Sequence, residues 1–82
     1  MTRLLTPAAA VDVELGPGGA PTAISGALTG AIDPIVRWKV ETSWWDKAVV
    51  REYWKVLLNN NLLCELYRDV ATNDWFIERV YD

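Results

Sequence analysis

The residues best suited to contact another molecule are a tryptophan pair and the bases around it. Trp44 and Trp45 are adjacent, with Arg37 and Lys39 before them and Lys47 and Arg51 after. Neighbouring side chains on a strand point to opposite faces, so one sheet cannot bury both indoles. An exposed indole among cations suits two chemistries. It can stack on a nucleic-acid base while the cations meet phosphates, or it can anchor a protein interface. The remaining arrangement folds the second indole over the end of the domain as a lid. Trp44, Trp45, Arg37, Lys39, Lys47 and Arg51 are therefore the candidate partner-binding residues.

Residue types for catalysis are scarce. The chain has no histidine, so Ser25 and Ser43 lack the base that activates a serine nucleophile. The carboxylate pairs Asp69 with Asp74 and Glu65 with Glu78 fall in turns or on strand faces near bases, where they read as solvated charges and cross-strand ion pairs. Gly16-Pro17-Gly18-Gly19 has neither the lysine nor the following helix of a phosphate loop. Cys64 is the single cysteine, which leaves no internal disulfide and no zinc site of the Cys/His type. It shares a strand face with Leu62 and Leu66 and neighbours Glu65, so it reads as a small buried hydrophobe. The expectation is a non-enzymatic protein without metal or cofactor.

The elements that position these residues belong to one small domain. A chain of 82 residues buries only about 60–65% of its unfolded surface, so its core must be dense. Trp54, Phe76 and at least one of Tyr67 and Tyr81 are the expected core aromatics. The eleven carboxylates outnumber the eight bases, whereas a nucleic-acid module is usually strongly basic. The charges are uneven, with five bases against three acids over 34–55 and two against five over 65–82. A local basic face is compatible with that distribution. No segment has the roughly 20 apolar residues that span a bilayer, and the first ten residues lack an apolar stretch for secretion. The expected location is the cytoplasm, with no membrane partner.

Residues 1–10, small and aperiodic, are expected to be loosely ordered, with 11–82 forming the domain. Val11 to Leu15 alternates apolar and acidic residues as a half-buried strand does, and Gly16 to Gly19 is a turn. Ala20 to Ile24 returns as a short or edge strand because Pro21 lacks a donor. Residues 25–33 fit a hairpin or a loop. Ile35 to Glu41 is a strand with Val36, Trp38 and Val40 on one face and Ile35, Arg37, Lys39 and Glu41 on the other. Ser43 to Asp46 has the residues of a capped helical turn, so at most one short helical turn is allowed near 43–50. Strands near 50–58, 62–68 and 75–81 follow, joined by a turn at Asn59-Asn60-Asn61, where asparagine tolerates positive φ, and by a polar turn over 69–74. This is an antiparallel three-stranded meander, apolar on both faces. The expected fold is mainly β, a small antiparallel barrel or roll.

Residues 34–82 resemble an uncharacterised small bacterial β domain, found alone or at the C-terminus of ImuB-type Y-family DNA polymerase homologues. The matching residues are Arg37-Trp38, Trp44-Trp45-Asp46, Arg51, Tyr53, Val56, the string Glu65 to Asp69 and the string Trp75 to Asp82. Members usually carry a basic, aromatic hairpin in the first third, where this chain has Ala23 to Gly30. The resemblance implies no catalytic residues. It implies an accessory or interaction module linked to bacterial DNA repair or translesion synthesis.

Three functions follow as expectations. The first is a protein-interaction module of that kind. The second is a weak single-stranded nucleic-acid binder that stacks bases on Trp44 or Trp45. The third is a structural homo-oligomer whose edge strands pair, with Ile35 to Glu41 or the last strand as the edge.

Overall fold

The protein is described from a computed structural model, over residues 2–44 and 47–81, the side chains of Trp44 and Lys47 apart. Six antiparallel strands form a closed, uneven ring in chain order: β1 (Thr2–Leu15), β2 (Pro21–Gly26), β3 (Gly30–Trp44), β4 (Lys47–Leu58), β5 (Leu62–Asp69) and β6 (Trp75–Tyr81). β1 closes the ring by pairing with β2 over Val11–Leu15 and with β6 through Thr2–Leu4 and Ala9–Val11. The mainly β class and the β4–β5–β6 meander are as expected.

Period-2 alternation fills the inside of the ring. Trp54, Val56 and Leu58 of β4 face the interior with Cys64 and Leu66 of β5, Trp75, Ile77 and Val80 of β6, Val11, Ile24 and Ile32. Val56, Cys64, Leu66 and Ile77 are completely buried, each apolar side chain of this size contributing about 2 kcal/mol. Strand bends let six strands close on so small a core. Register shifts fall between Pro34 and Val36 on β3 and between Glu65 and Leu66 on β5, and an extra residue in one strand bends it.

The turns follow their residue types. Asn59 and Asn60 both have positive φ, 50° and 61°, and the Asn61 amide donates to the Leu58 carbonyl at 3.1 Å. This is the tight hairpin turn that the asparagines predict. Residues 25–33 resolve as a hairpin: β2 ends at Gly26 and β3 starts at Gly30. The Asn59 carboxamide occupies the place where a β-carbon of residue 30 would sit. It accepts from the Ala31 amide at 3.2 Å and donates to the Thr29 carbonyl at 3.4 Å, tying the two hairpins together.

Two local expectations change. Residues 2–10 lie within β1 rather than as a loose segment, because β6 offers them a partner strand. No helical turn occurs at Ser43 and Trp44 or over 47–50; Ser43 pairs with Ala48 and Trp44 with Lys47. A single capped turn carries the full cost of helix nucleation, while β3 and β4 pair along their whole shared length. Among the described residues, the short helical element is a 3-10 turn at Pro17–Gly19.

The β3–β4 ribbon outruns its neighbours. β2 pairs only with Gly30 and Ala31 of β3, and β5 reaches along β4 only as far as Arg51. From Asp33 onward β3 has one neighbour, β4, among the described residues.

Candidate functional site

The six candidate residues do not gather on one face. Trp45 lies outside the described residues, as do the side chains of Trp44 and Lys47. Among the remaining three, strand register decides. Residues directly opposite each other on paired strands share a face. Arg37 is opposite the buried Trp54, and Lys39 is opposite Glu52, so both bases lie on the face continuous with the ring interior. The Arg37 guanidinium lies 5.3 Å from the Trp54 ring centroid. Arg51 is opposite Val40 and Asp69, which puts it on the outer face.

The outer face carries a feature with no counterpart in the linear sequence. Trp38 on β3, Tyr53 on β4, Tyr67 on β5 and Phe76 on β6 are opposite one another in turn. Their rings form a continuous row. Trp38 and Tyr53 stack at 5.3 Å with 8° between planes, Tyr53 and Tyr67 lie 5.5 Å apart, and Tyr67 and Phe76 stack at 5.1 Å. Arg51 lies over Tyr67, 4.5 Å from its centroid, and 4.0 Å from the Glu78 carboxylate. The Tyr53 hydroxyl donates to the same carboxylate at 3.1 Å. Glu78 is the extra residue of the β5–β6 bulge, which turns it towards the row.

The row changes the assignment of the aromatics. Trp54 is a core residue and pairs inside with Trp75, centroids 6.5 Å apart. Phe76 is not in the core but half-buried on the outer face, and Tyr67 is buried by the rings and guanidinium beside it. The expected core position of Phe76 fails because alternation in β6 separates it from Trp75 and Ile77 without saying which face is inside. Cross-strand register, which aligns the four rings, requires the bulge positions as well.

Electrostatics on this face are local. Hydrogen bonding to Tyr53, then the nearby Tyr67 and Glu78, raises the Arg51 guanidinium above its ordinary value, against burial. Burial raises the Tyr53 phenol, with Arg51 opposing and Glu78 reinforcing. The Arg51 Nε is buried against the rings with no acceptor. The Tyr81 hydroxyl hydrogen bonds to Glu65, which raises the Tyr81 phenol, while Lys55 lies 5.0 Å from the Tyr81 ring. Beyond Phe76 the row opens on a hollow of about 410 Å³, lined in part by Ala10, Asp12, Ser25, Gly26 and Asp74. Cys64 is buried, and burial raises its thiol above the ordinary value, which makes it a poor nucleophile.

At its other end the row meets the β3 edge. Ile35, Val36 and Val40 are 59%, 47% and 36% exposed. Val36, Trp38 and Val40 share the outer face, opposite Lys55, Tyr53 and Arg51, and Ile35 sits at the bulge. This strand combines exposed apolar side chains with an edge that, from Asp33 onward, has no second strand beside it among the described residues. Family models, curated proteins and solved structures give no match to this chain.

Proposed function

We propose that the protein is a non-enzymatic interaction module that takes up a polypeptide strand along β3. The observation that carries this reading is the unpaired edge of β3 from Asp33 onward, flanked by the exposed Ile35, Val36 and Val40. An added strand would satisfy the open backbone groups, and alternate side chains would meet Val36, Trp38 and Val40. The resemblance to the ImuB-associated domain supplies the setting: an accessory role in bacterial DNA repair or translesion synthesis. Charge favours protein over nucleic acid as the partner. A phosphate chain laid along the outer row would meet Glu78 midway and Asp12 and Asp74 at the far end. Arg37 and Lys39 would lie on the opposite face from Arg51.

Affinity capture tests the reading. The wild-type domain and a Val36→Asp/Val40→Asp variant, matched by circular dichroism, serve as baits. Both positions are exposed, so the variant should fold. Retention by the wild type of a polypeptide that the variant releases is the expected result. Identical retention by both would remove β3 as the working surface.

A further inference from the structure

We infer that the strand received by β3 is β3 of a second copy, paired antiparallel about Val40. This deepens the interaction reading and rests on it, naming the partner of the same surface.

Edges of natural sheets are usually blunted by proline, by inward charges or by bulges. The other long edge in this ring, on the first part of β1, has such protection: Pro7 and a register break between Leu4 and Ala9. The β3 edge has Pro34 near its start and the charges Arg37, Lys39 and Glu41 along its inner face, which admit a partner strand only in a register that matches them; beyond the Pro34–Val36 shift its pairing with β4 is regular to Trp44. It is a long, regular template with an open side.

Its sequence is self-complementary at one register. Val40 is flanked by Lys39 and Glu41. In an antiparallel pair of identical strands centred on Val40, Lys39 of each copy stands opposite Glu41 of the other. Moving the centre destroys the match. A centre at Arg37 or Glu41 places that charge against itself, and a centre at Lys39 opposes Arg37 to Glu41 but sets Lys39 against itself and brings Pro34 opposite Trp44. A centre at Trp38 places Arg37 against Lys39, and one at Val36 brings Pro34, which has no N–H, into the ladder. Among centres from Val36 to Glu41, only Val40 opposes unlike charges while leaving Pro34 outside. Both Lys39 and Glu41 are exposed, and neither has a charged partner among the described residues.

The same register treats the apolar face consistently. Val40 meets Val40 and Trp38 meets Thr42, all on the outer side, so the aromatic rows of the two copies run along one continuous sheet surface. A domain this small gains burial from association that its own core cannot supply.

Sedimentation equilibrium of the whole chain over a range of concentrations tests the inference. The expected mass at high concentration is about twice the 9.2 kDa of one chain. Lys39→Glu and Glu41→Lys should each weaken association about tenfold or more, since each creates two like-charge pairs across the dimer. An equimolar mixture of the two variants should associate, because every cross-copy pair is then attractive. The double variant Lys39→Glu/Glu41→Lys should also recover. It keeps the new glutamate opposite Glu52 within its own chain, so recovery separates pairing from a folding defect. Val40→Cys should form a disulfide-linked dimer under mild oxidation, and Thr42→Cys should not. A wild-type monomer at every concentration, or a dimer indifferent to both single charge variants, would overturn the inference. The interaction reading would survive either result if the capture experiment still separated the wild type from Val36→Asp/Val40→Asp.

Discussion

The row of outer rings makes a quantitative prediction at its exposed end. Trp38 and Tyr53 stack at 5.3 Å with nearly parallel planes, and both are half-buried. Aromatic pairs contribute about 0.5–1.5 kcal/mol beyond the area they bury. The parallel geometry and partial solvent exposure place this pair near the middle of that range, about 1 kcal/mol. Trp38→Leu removes this ring contact. Tyr53→Leu removes it as well, together with the contact to Tyr67 and the hydrogen bond to Glu78, and should cost about 2–3 kcal/mol in total. The double variant should then cost about 1 kcal/mol less than the two single costs added together. A domain of this size has a stability of about 4–12 kcal/mol, so all three variants should remain folded. Urea unfolding followed by circular dichroism reads the effect. With a slope near 1 kcal/mol per molar, the coupling appears as a displacement of about 1 M in the midpoint of the double variant. Trp38 and Phe76, at opposite ends of the row, form the control cycle and should add to within about 0.3–0.5 kcal/mol. Additive costs for Trp38 and Tyr53 would refute the claim that the rings act as one packed layer.

Two further predictions concern a turn and the alkaline limit. Gly30 has φ of 154° and its Cα faces the Asn59 carboxamide, so Gly30→Ala should lower stability by about 2 kcal/mol or more; an unchanged urea midpoint would contradict the close approach. Burial raises the Cys64 thiol and the Tyr53 phenol above their ordinary values of 9.0 and 10.0, and the hydrogen bond to Glu65 does most to raise Tyr81. Each group loses its proton at lower pH in the unfolded chain than in the fold, so stability is fully present below about pH 9 and falls as pH rises through the raised values. Urea midpoints at neutral pH and at about pH 10 should decrease in that order, and a midpoint that holds or rises would count against these environments.

The legible and illegible parts of the chain differ in the range of the interactions that decide them. The alternation of Leu62, Cys64 and Leu66 and the run of three asparagines are local signals, and they set β5 and its turn. The first part of β1 has no such signal, because Ala8-Ala9-Ala10 shows no apolar period and its pairing with β6 spans almost the whole chain. Ser43 to Asp46 offers a local helical signal; at Ser43 and Trp44 the long β3–β4 pairing overrides it, and residues 45 and 46 lie outside the described residues. The candidate site was readable only in part. Alternation put Arg37 and Lys39 on one face of β3 and Val36, Trp38 and Val40 on the other. Placing Arg51 relative to them required the register between β3 and β4, which depends on the shift at Pro34–Val36. Phe76 illustrates the same limit: when both faces of a strand are apolar, its sequence does not say which one lines the interior.

Closure of the ring by β1 and β6 also determines how the domain bears load. Thr2 stands opposite Tyr81, and the two strands run antiparallel from that point. A pull applied between these ends acts across the strands rather than along them. It opens the β1–β6 hydrogen bonds one after another, like a zipper, instead of straining them all at once. The domain should therefore yield at low force between its ends. The β3–β4 ribbon, which takes no part in that seam, should keep its pairing until the ring has parted.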